Sequence, residues 1–424
     1  MSTVSRDLPP RPHLDVPKRE ARALLSAWRN ADPDALARIR RRHPRFQDLP
    51  DAEVARGKFL LNDAQRVIAR EYGLEHWTEL KQRITSHSLL QRLDAAIRAD
   101  ARAEVVAILQ ANPELMHVPV RSGNWGPPMS HAANLGRLEI VQAVAALGAR
   151  DFQHALDRAL LQGQLHCARW LCEQGAKLAP GILMGSCETL NASGFRFLVE
   201  ANAPLTDAQG DPLAPLGLVL GTYCRNPPGK HEILEHFARL GHRFPETPIM
   251  DFHAGRVDEL RTRLRRDPGL VHRRFSRREI YPPELGCPDH DQAGLHGTPI
   301  AGTTLLHLAI DFDEQEIFDM LLAEGADVNA TADVDAEGFG GQTPLFHGVV
   351  SCAVCNGRQR DASMARALLD RGASRDVRAS VRKFLDWQAE PGWHVARDVT
   401  AEEWGRGFPH PNWVNHEALR LLTT

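Results

Sequence analysis

The sequence predicts an all-α solenoid of short, stacked helix pairs, and three observations carry that expectation. Apolar residues recur at helical spacing in short segments that are broken by glycine or proline rather than by long polar loops. Turn positions fall twelve residues apart repeatedly: Gly136 and Gly148, Gly163 and Gly175, Gly229 and Gly241. The alanines that follow the second turn, Ala149 and Ala176, and the matching Ala203, stand 27 residues apart. A constant interval of this size marks a repeat, in which each unit buries its apolar face only against its neighbours.

Composition supports a folded, water-facing chain. Of 424 residues, 43% are hydrophobic and 25% charged, with a formal net charge of −3. That near-neutral balance argues against wholesale binding to nucleic acid. The N-terminal stretch is polar and proline-rich, and no later run approaches the ~18 unbroken apolar residues of a membrane span. The expectation is therefore a cytoplasmic protein with no membrane association. Seven cysteines, an odd number without a dense framework, fit reduced thiols better than a disulfide scaffold.

Taken in chain order, residues 1–88 form a helical region of their own. Ala21 to Phe46 reads as a helix pair ending in a proline turn, and a second helix-turn-helix follows with Asn62 or Asp63 as cap and Gly73 as break. Residues 89–275 hold divergent helix pairs. Leu190 occupies the first turn position in one of them, with Asn202 and Ala203 at the second. The spacing of 27 falls about six short of the usual ~33, a shortfall the size of a β-hairpin finger, so short fingers are expected here. Roughly eight helix pairs emerge in all, above the ~3 that a stable stack needs.

Residues 276–301 form an inserted loop, and 302–379 the best-formed repeats. Gly302 to Ala330 has a threonine cap at Thr304, His307 able to bond back across it, the small Ala309, apolar Leu321 and Leu322, and Gly325 to end the second helix. A second copy starts at Gly341, where Phe346 and Gly348 replace a histidine and an alanine. Thr304 precedes Leu321 by 17 residues but Thr343 precedes Leu368 by 25, which places an insertion at 349–363. Residues 380–424 carry Trp387, Trp393, Trp404 and Trp413, half of the eight tryptophans, and are expected to form a helical cap over the open end of the stack. The other reading of the same rings is an aromatic binding surface.

The segment GTTLLHLAIDFDEQEIFDMLLAEGADVNA resembles the ankyrin repeat, departing from it chiefly at Leu305, where proline is usual. Together with Ala69–Lys81, AREYGLEHWTELK, it makes the chain similar to a group of bacterial ankyrin-repeat proteins with an additional N-terminal helical region. That resemblance covers most of the chain and implies a fold without a defined activity.

Two constellations bear on chemistry. The 276–301 insertion concentrates Cys287, Asp289, His290 and His296, with Asp311 following in the next repeat. Aspartate with histidine can perform general acid–base work, so Asp289, His290, His296 and Asp311 are the catalytic candidates. Cys352 and Cys355 have C-x2-C spacing, and with Cys287 and His290 they offer three sulfurs and an imidazole for zinc. Free cysteines and a polar, hydrogen-bonded loop are the plainer readings. No nucleophile elbow, phosphate loop or H-E-x-x-H motif is present, and no cofactor is expected.

Arginines run densely from Arg256 to Arg278 and from Arg38 to Arg42, either as solvated helix faces or as receptors for an acidic partner. The leading function is a non-catalytic protein-binding scaffold, whose exposed finger positions include Asp333 and Asp335. The alternative is an enzyme or small-molecule binder whose pocket the 276–301 insertion roofs.

Overall fold

The computed structural model describes residues 5–9, 12–288, 298–356, 361–385 and 391–423. It divides into two compact units, Met1–Ala155 and Leu156–Thr424. Among the described residues no helix is long and apolar enough to cross a membrane.

The first unit begins with α1 (Asp15–Arg29), α2 (Pro33–Arg42), α3 (Asp51–Arg56), α4 (Leu61–Glu71) and α5 (Trp77–Arg98). Local chemistry sets their ends. Asp32 accepts from the Ala35 N–H at 2.9 Å to cap α2, whose first residue is proline. Asp63 accepts from the Leu60 N–H at 2.8 Å at the start of α4, and Gly73 takes a positive φ just past its end. Leu24, Ile39, Phe46, Val67, Ile68 and Leu80 meet in a core that these five helices share. Two helix pairs follow, α6 (Arg102–Ala111) packing on α5 and α7 (Pro128–Asn134) on α8 (Leu138–Ala146).

The division between the units falls within α9 (Phe152–Leu161). The second unit continues with α10 (Leu165–Glu173), α11 (Met184–Glu188), α12 (Ala192–Glu200), α13 (Ala214–Gly221), α14 (Pro227–Arg239), α15 (Pro248–His253) and α16 (Val257–Arg266). A four-residue turn of helix, α17 (Arg277–Ile280), precedes α18 (Leu305–Asp311), α19 (Gln315–Ala323), α20 (Pro344–Val349), α21 (Cys352–Asn356) and α22 (Ser363–Asp370). Neighbouring helices pack together: α11 on α12 and α13, α12 on α14, and α18 on α19 and α20.

The turn frame read from sequence has a backbone cause. Leu190 and Asn202 take φ of 54° and 55°, the left-handed conformation that glycine fills elsewhere, so the frame tolerates other residues at some cost. Gly229 is different. It lies inside α14, where a Cβ would collide with the Leu190 carbonyl, so its glycine answers a close approach rather than a turn. Gly348 likewise lets α20 approach α22, since a Cβ there would lie 3.3 Å from the Ala365 Cβ.

The C-terminal segment departs from the all-α expectation. It opens with an antiparallel hairpin, β1 (Ala379–Leu385) and β2 (Gly392–Val399), before α23 (Ala401–Gly407) and α24 (His416–Thr423). Burial alternates along β1, with Ala379, Val381, Lys383 and Leu385 turned inward, the period-two pattern of a half-buried strand. Trp404 and Trp413 are buried, and α23 and α24 pack against α20. Trp393 is half-exposed on β2, and Trp387 lies outside the described residues.

Candidate functional site

Two places in the second unit gather polar or exposed side chains. The first is a buried ionic cluster beneath the start of the 276–301 insertion. Arg225, between α13 and α14, is almost fully buried and extends its guanidinium to Asp311 at the end of α18. Nη2 donates to the Asp311 carboxylate at 2.9 Å, Nε to the Asp311 carbonyl at 2.7 Å and Nη1 to the Thr222 carbonyl at 2.5 Å. The guanidinium plane lies over the Phe312 ring, 4.4 Å from its centroid. A charge this deep is tolerable only because it is paired and hydrogen-bonded on several sides.

Lys230 on α14 shares the same ring, with Nζ 4.4 Å from the Phe312 centroid. Nζ donates to Nδ1 of His253 at 2.6 Å, and the other ring nitrogen of His253 donates to the Ile280 carbonyl at 2.8 Å. This geometry suits a neutral imidazole, one nitrogen accepting and one donating. Burial lowers the lysine to about 7 even though Glu314 favours its charge. Burial, and then the Lys230 charge, push His253 well below the usual histidine range. Glu314 itself is buried and meets His231 at 3.0 Å.

The described part of the insertion is a plug, not a solvent loop. Ile280, Tyr281, Leu285 and Cys287 are all buried. Gly286 takes a φ of 84° and approaches α13 so closely that a Cβ on Gly217 would collide with the Gly286 carbonyl. The Cys287 thiol consequently faces the Gly217 carbonyl at 3.8 Å. Burial pushes that thiol up to about 12 and raises Cys352 and Cys355 as well, so none is an activated thiolate.

Each candidate from the sequence can now be placed. Asp289, His290 and His296 lie outside the described residues. Asp311 turns into the protein toward Arg225, with His347 Nδ1 at 3.6 Å on its other side. Cys352 is buried and Cys355 exposed on the single turn of α21. Among the described residues no three His, Cys, Asp or Glu side chains come together to hold a metal ion, so Cys287, Cys352 and Cys355 do not form such a group. A small cavity of about 180 Å³ does lie beside the insertion, lined by Pro245, Ile249, Phe275, Arg278, Pro282 and Glu284 among others. Asp311 is not in its wall. Glu279, which is, accepts from Ser276 and pairs with Arg273 at 2.6 Å; despite some burial these contacts lower it below the usual carboxylate range, which makes it a poor proton acceptor. Arg225, Lys230 and His253 escaped the sequence reading because their partners lie as many as 86 positions away.

The second place is an exposed face. Backbone bonds run from segment to segment along one side of the second unit. Phe275 bonds Thr303, the Asp333 N–H donates to Gly302 at 2.9 Å, and the Gly340 N–H donates to Ser380 at 2.7 Å. Between these links the finger Ala332–Gln342 closes on itself, with the Asp335 N–H donating to Phe339 at 2.8 Å. β1 thus joins the finger on one edge and β2 on the other. Cross-strand neighbours Phe384 and Trp393 meet edge to face with centroids 5.4 Å apart on the outer face, beside Arg382 and Val395. Arg382 ties the two parts together: it pairs with Asp335 at 2.8 Å and with Glu337, and lies over both Phe339 and Trp393. Arg397 lies over Phe339 at 4.2 Å.

The described residues are mostly helical, with successive helices packed on one another. The ankyrin repeat family model matches residues 301–333, so the chain carries an ankyrin repeat there, over α18, α19 and the start of the following finger. No curated protein matches the chain significantly. Among solved structures, the crystal structure of the human ASB11 ankyrin repeat domain is similar at 18% identity and a TM-score of 0.24, covering 70% of this chain and 97% of that one. In the matched repeat, Thr304 donates its N–H to His307 Nδ1 at 3.3 Å with the hydroxyl at 2.8 Å, and His307 Nε2 donates to the Gln342 carbonyl at 3.2 Å. The histidine therefore locks the helix cap to the next finger.

Proposed function

We propose that the chain is a non-catalytic scaffold that binds another protein through the face made by the finger Ala332–Gln342 and the hairpin β1–β2. One observation carries this reading. Of the seven large hydrophobic side chains exposed among the described residues, three, Val334, Trp393 and Val395, lie on this finger and hairpin, and Trp393 is the one aromatic ring among the seven. Exposed apolar surface of this kind, rimmed by charge, is characteristic of interaction sites rather than of free surface. Aromatic rings and arginines stacked on one another are the residues that dominate binding energy at protein interfaces.

The stacked helix pairs hold this face in place before a partner arrives, which reduces the entropy lost on association. The buried Arg225–Asp311 pair belongs to that supporting role: it fastens α18 to the segment between α13 and α14. Asp333 and Asp335, the finger positions singled out by sequence, are less suited to probing the face. Asp335 is held by Arg382 and Asp333 sits 3.5 Å from Arg274, so reversing either charge disturbs the finger itself.

The test is affinity capture from an extract of the source cells with the full chain as bait, beside the variant Trp393→Ala/Val395→Ser. A stoichiometric partner retained by the parent and lost by the variant, with circular dichroism unchanged, is the expected result. A partner held equally by both would move the binding surface elsewhere, and repeated recovery of no partner would remove the proposal.

A further inference from the structure

β2 is the outermost strand of the hairpin. β1 bonds it along one edge, and among the described residues no other strand bonds it along the other. We propose that the free edge at 392–396 receives an extended segment of the partner protein as an added antiparallel strand. That segment is apolar at the two positions beside Trp393 and Val395, and it carries a carboxylate that reaches Arg397. The proposal rests on the binding face inferred above and states how the partner is held there.

Which groups face the free edge follows from the register. Successive residues of a strand turn their N–H and C=O groups to opposite edges. The Ser380 carbonyl accepts from the Gly340 N–H of the finger. Ser380, Arg382 and Phe384 therefore turn their backbone groups to the finger side, and Val381, Lys383 and Leu385 turn theirs to β2. The residues that meet these three on β2 are Ala396, His394 and Gly392. Trp393 and Val395, between them, direct both N–H and both C=O groups away from β1. Among the described residues nothing donates to or accepts from those four groups.

The same two residues carry the exposed apolar side chains of the strand, so hydrogen bonds and apolar contact are offered at the same positions. In such a pair the opposite residue exchanges both backbone bonds and lays its side chain alongside on the same face. Free edges are ordinarily guarded by charge, proline or a bulge. Here the guard stands at one end: Arg397 and Asp398 together oppose Ser380, and Asp398 takes a φ of 49°. The stretch 392–396, GWHVA, has no charged residue of the Asp, Glu, Lys or Arg kind and no proline. The inner face of the strand is already closed, since the His394 ring lies 5.1 Å from Trp404 and 5.5 Å from Phe408. A partner strand thus comes alongside, in the plane of the hairpin.

Charge selects what that strand carries. Arg378 is held by Asp398 and Glu403, and Arg382 by Asp335 and Glu337. Arg397, exposed over the Phe339 ring, has no carboxylate within ion-pair distance among the described residues. A carboxylate near the end of the incoming segment completes it. A second copy pairing through its own 392–396 would bring none.

Selection of a random-peptide library displayed on phage against the full chain tests this, with synthetic copies of the selected peptides titrated by fluorescence polarisation. Alternating apolar residues with an acidic residue toward one end are expected, and Arg397→Gln is expected to relax the acidic preference. Val395→Pro deletes an N–H on the free edge and spares the bonds to β1, which run through 392, 394 and 396. It is expected to weaken binding about tenfold more than Val395→Ala, which trims the side chain but keeps the N–H, because a backbone group left unpaired costs about 1–3 kcal/mol. A second measurement needs no variant: N-methylation of the peptide amide that faces β2 is expected to weaken binding to the parent chain about tenfold or more, and methylation of the next amide far less. Failure to enrich any peptide overturns the proposal, as does equal tolerance of methylation at both amides. Dimerisation of the parent chain that Val395→Pro abolishes also overturns it, by giving the edge to a second copy. Peptides that need the Trp393 and Val395 side chains but tolerate methylation remove the added strand and leave the binding face standing. The face itself fails separately, when Trp393→Ala/Val395→Ser retains the captured partner.

Discussion

Lys230 and Asp311 show what single residues contribute to this molecule. Lys230 has its charge suppressed by burial, from an ordinary value of 10.5 to about 7. Between those two values the unfolded chain holds a proton that the folded chain does not, so stability rises with pH across that window and levels off below about 7. Lys230→Met removes the proton and is expected to flatten this rise relative to the parent in chemical denaturation from pH 7 to 10; an unchanged slope would mean that Lys230 is not buried as described. Asp311→Asn leaves Arg225 charged and without its carboxylate. Breaking a buried pair in this way costs about 3–5 kcal/mol, so a large drop in the denaturation midpoint is expected, whereas a change within about 0.5 kcal/mol is what surface substitutions give.

At the scale of elements, the insertion that follows Phe275 is bound to α13 by glycines. Gly217→Ala sets two effects against each other. Alanine favours a helix over glycine by about 1 kcal/mol, but here the added methyl group meets the backbone carbonyl of Gly286, which moves only if the plug moves. Overpacking of this kind typically costs about 1–3 kcal/mol, so net destabilisation is expected in denaturant titration, and stabilisation would show that the plug is loosely held. The same scale explains what was legible in the sequence. Helix pairs were visible because turns twelve residues apart demand left-handed backbone, and Leu190 and Asn202 reveal that demand even without glycine. Gly229 misled because a glycine serving a close contact reads identically to one serving a turn. The hairpin was missed although VRKFL and WHVAR alternate, since the tryptophan-rich composition suggested a helical cap. The polar core beneath the insertion was not legible at all: Arg225 and Asp311 belong to different helix pairs, and no local pattern links them.

The ankyrin repeat at 301–333 supplies a rigid helix pair and the start of a finger, and the hairpin after residue 379 extends that finger with aromatic and arginine side chains. In the interior of the second unit Arg225 is paired with Asp311 and Lys230 with His253. Hydrogen–deuterium exchange of the full chain, alone and with its captured protein partner, tests the central claim directly. The account predicts slowed exchange in the finger 332–342 and in the strands 379–385 and 392–399 when the partner is bound. Protection confined to other segments, with the finger and hairpin exchanging as in the free chain, would contradict it.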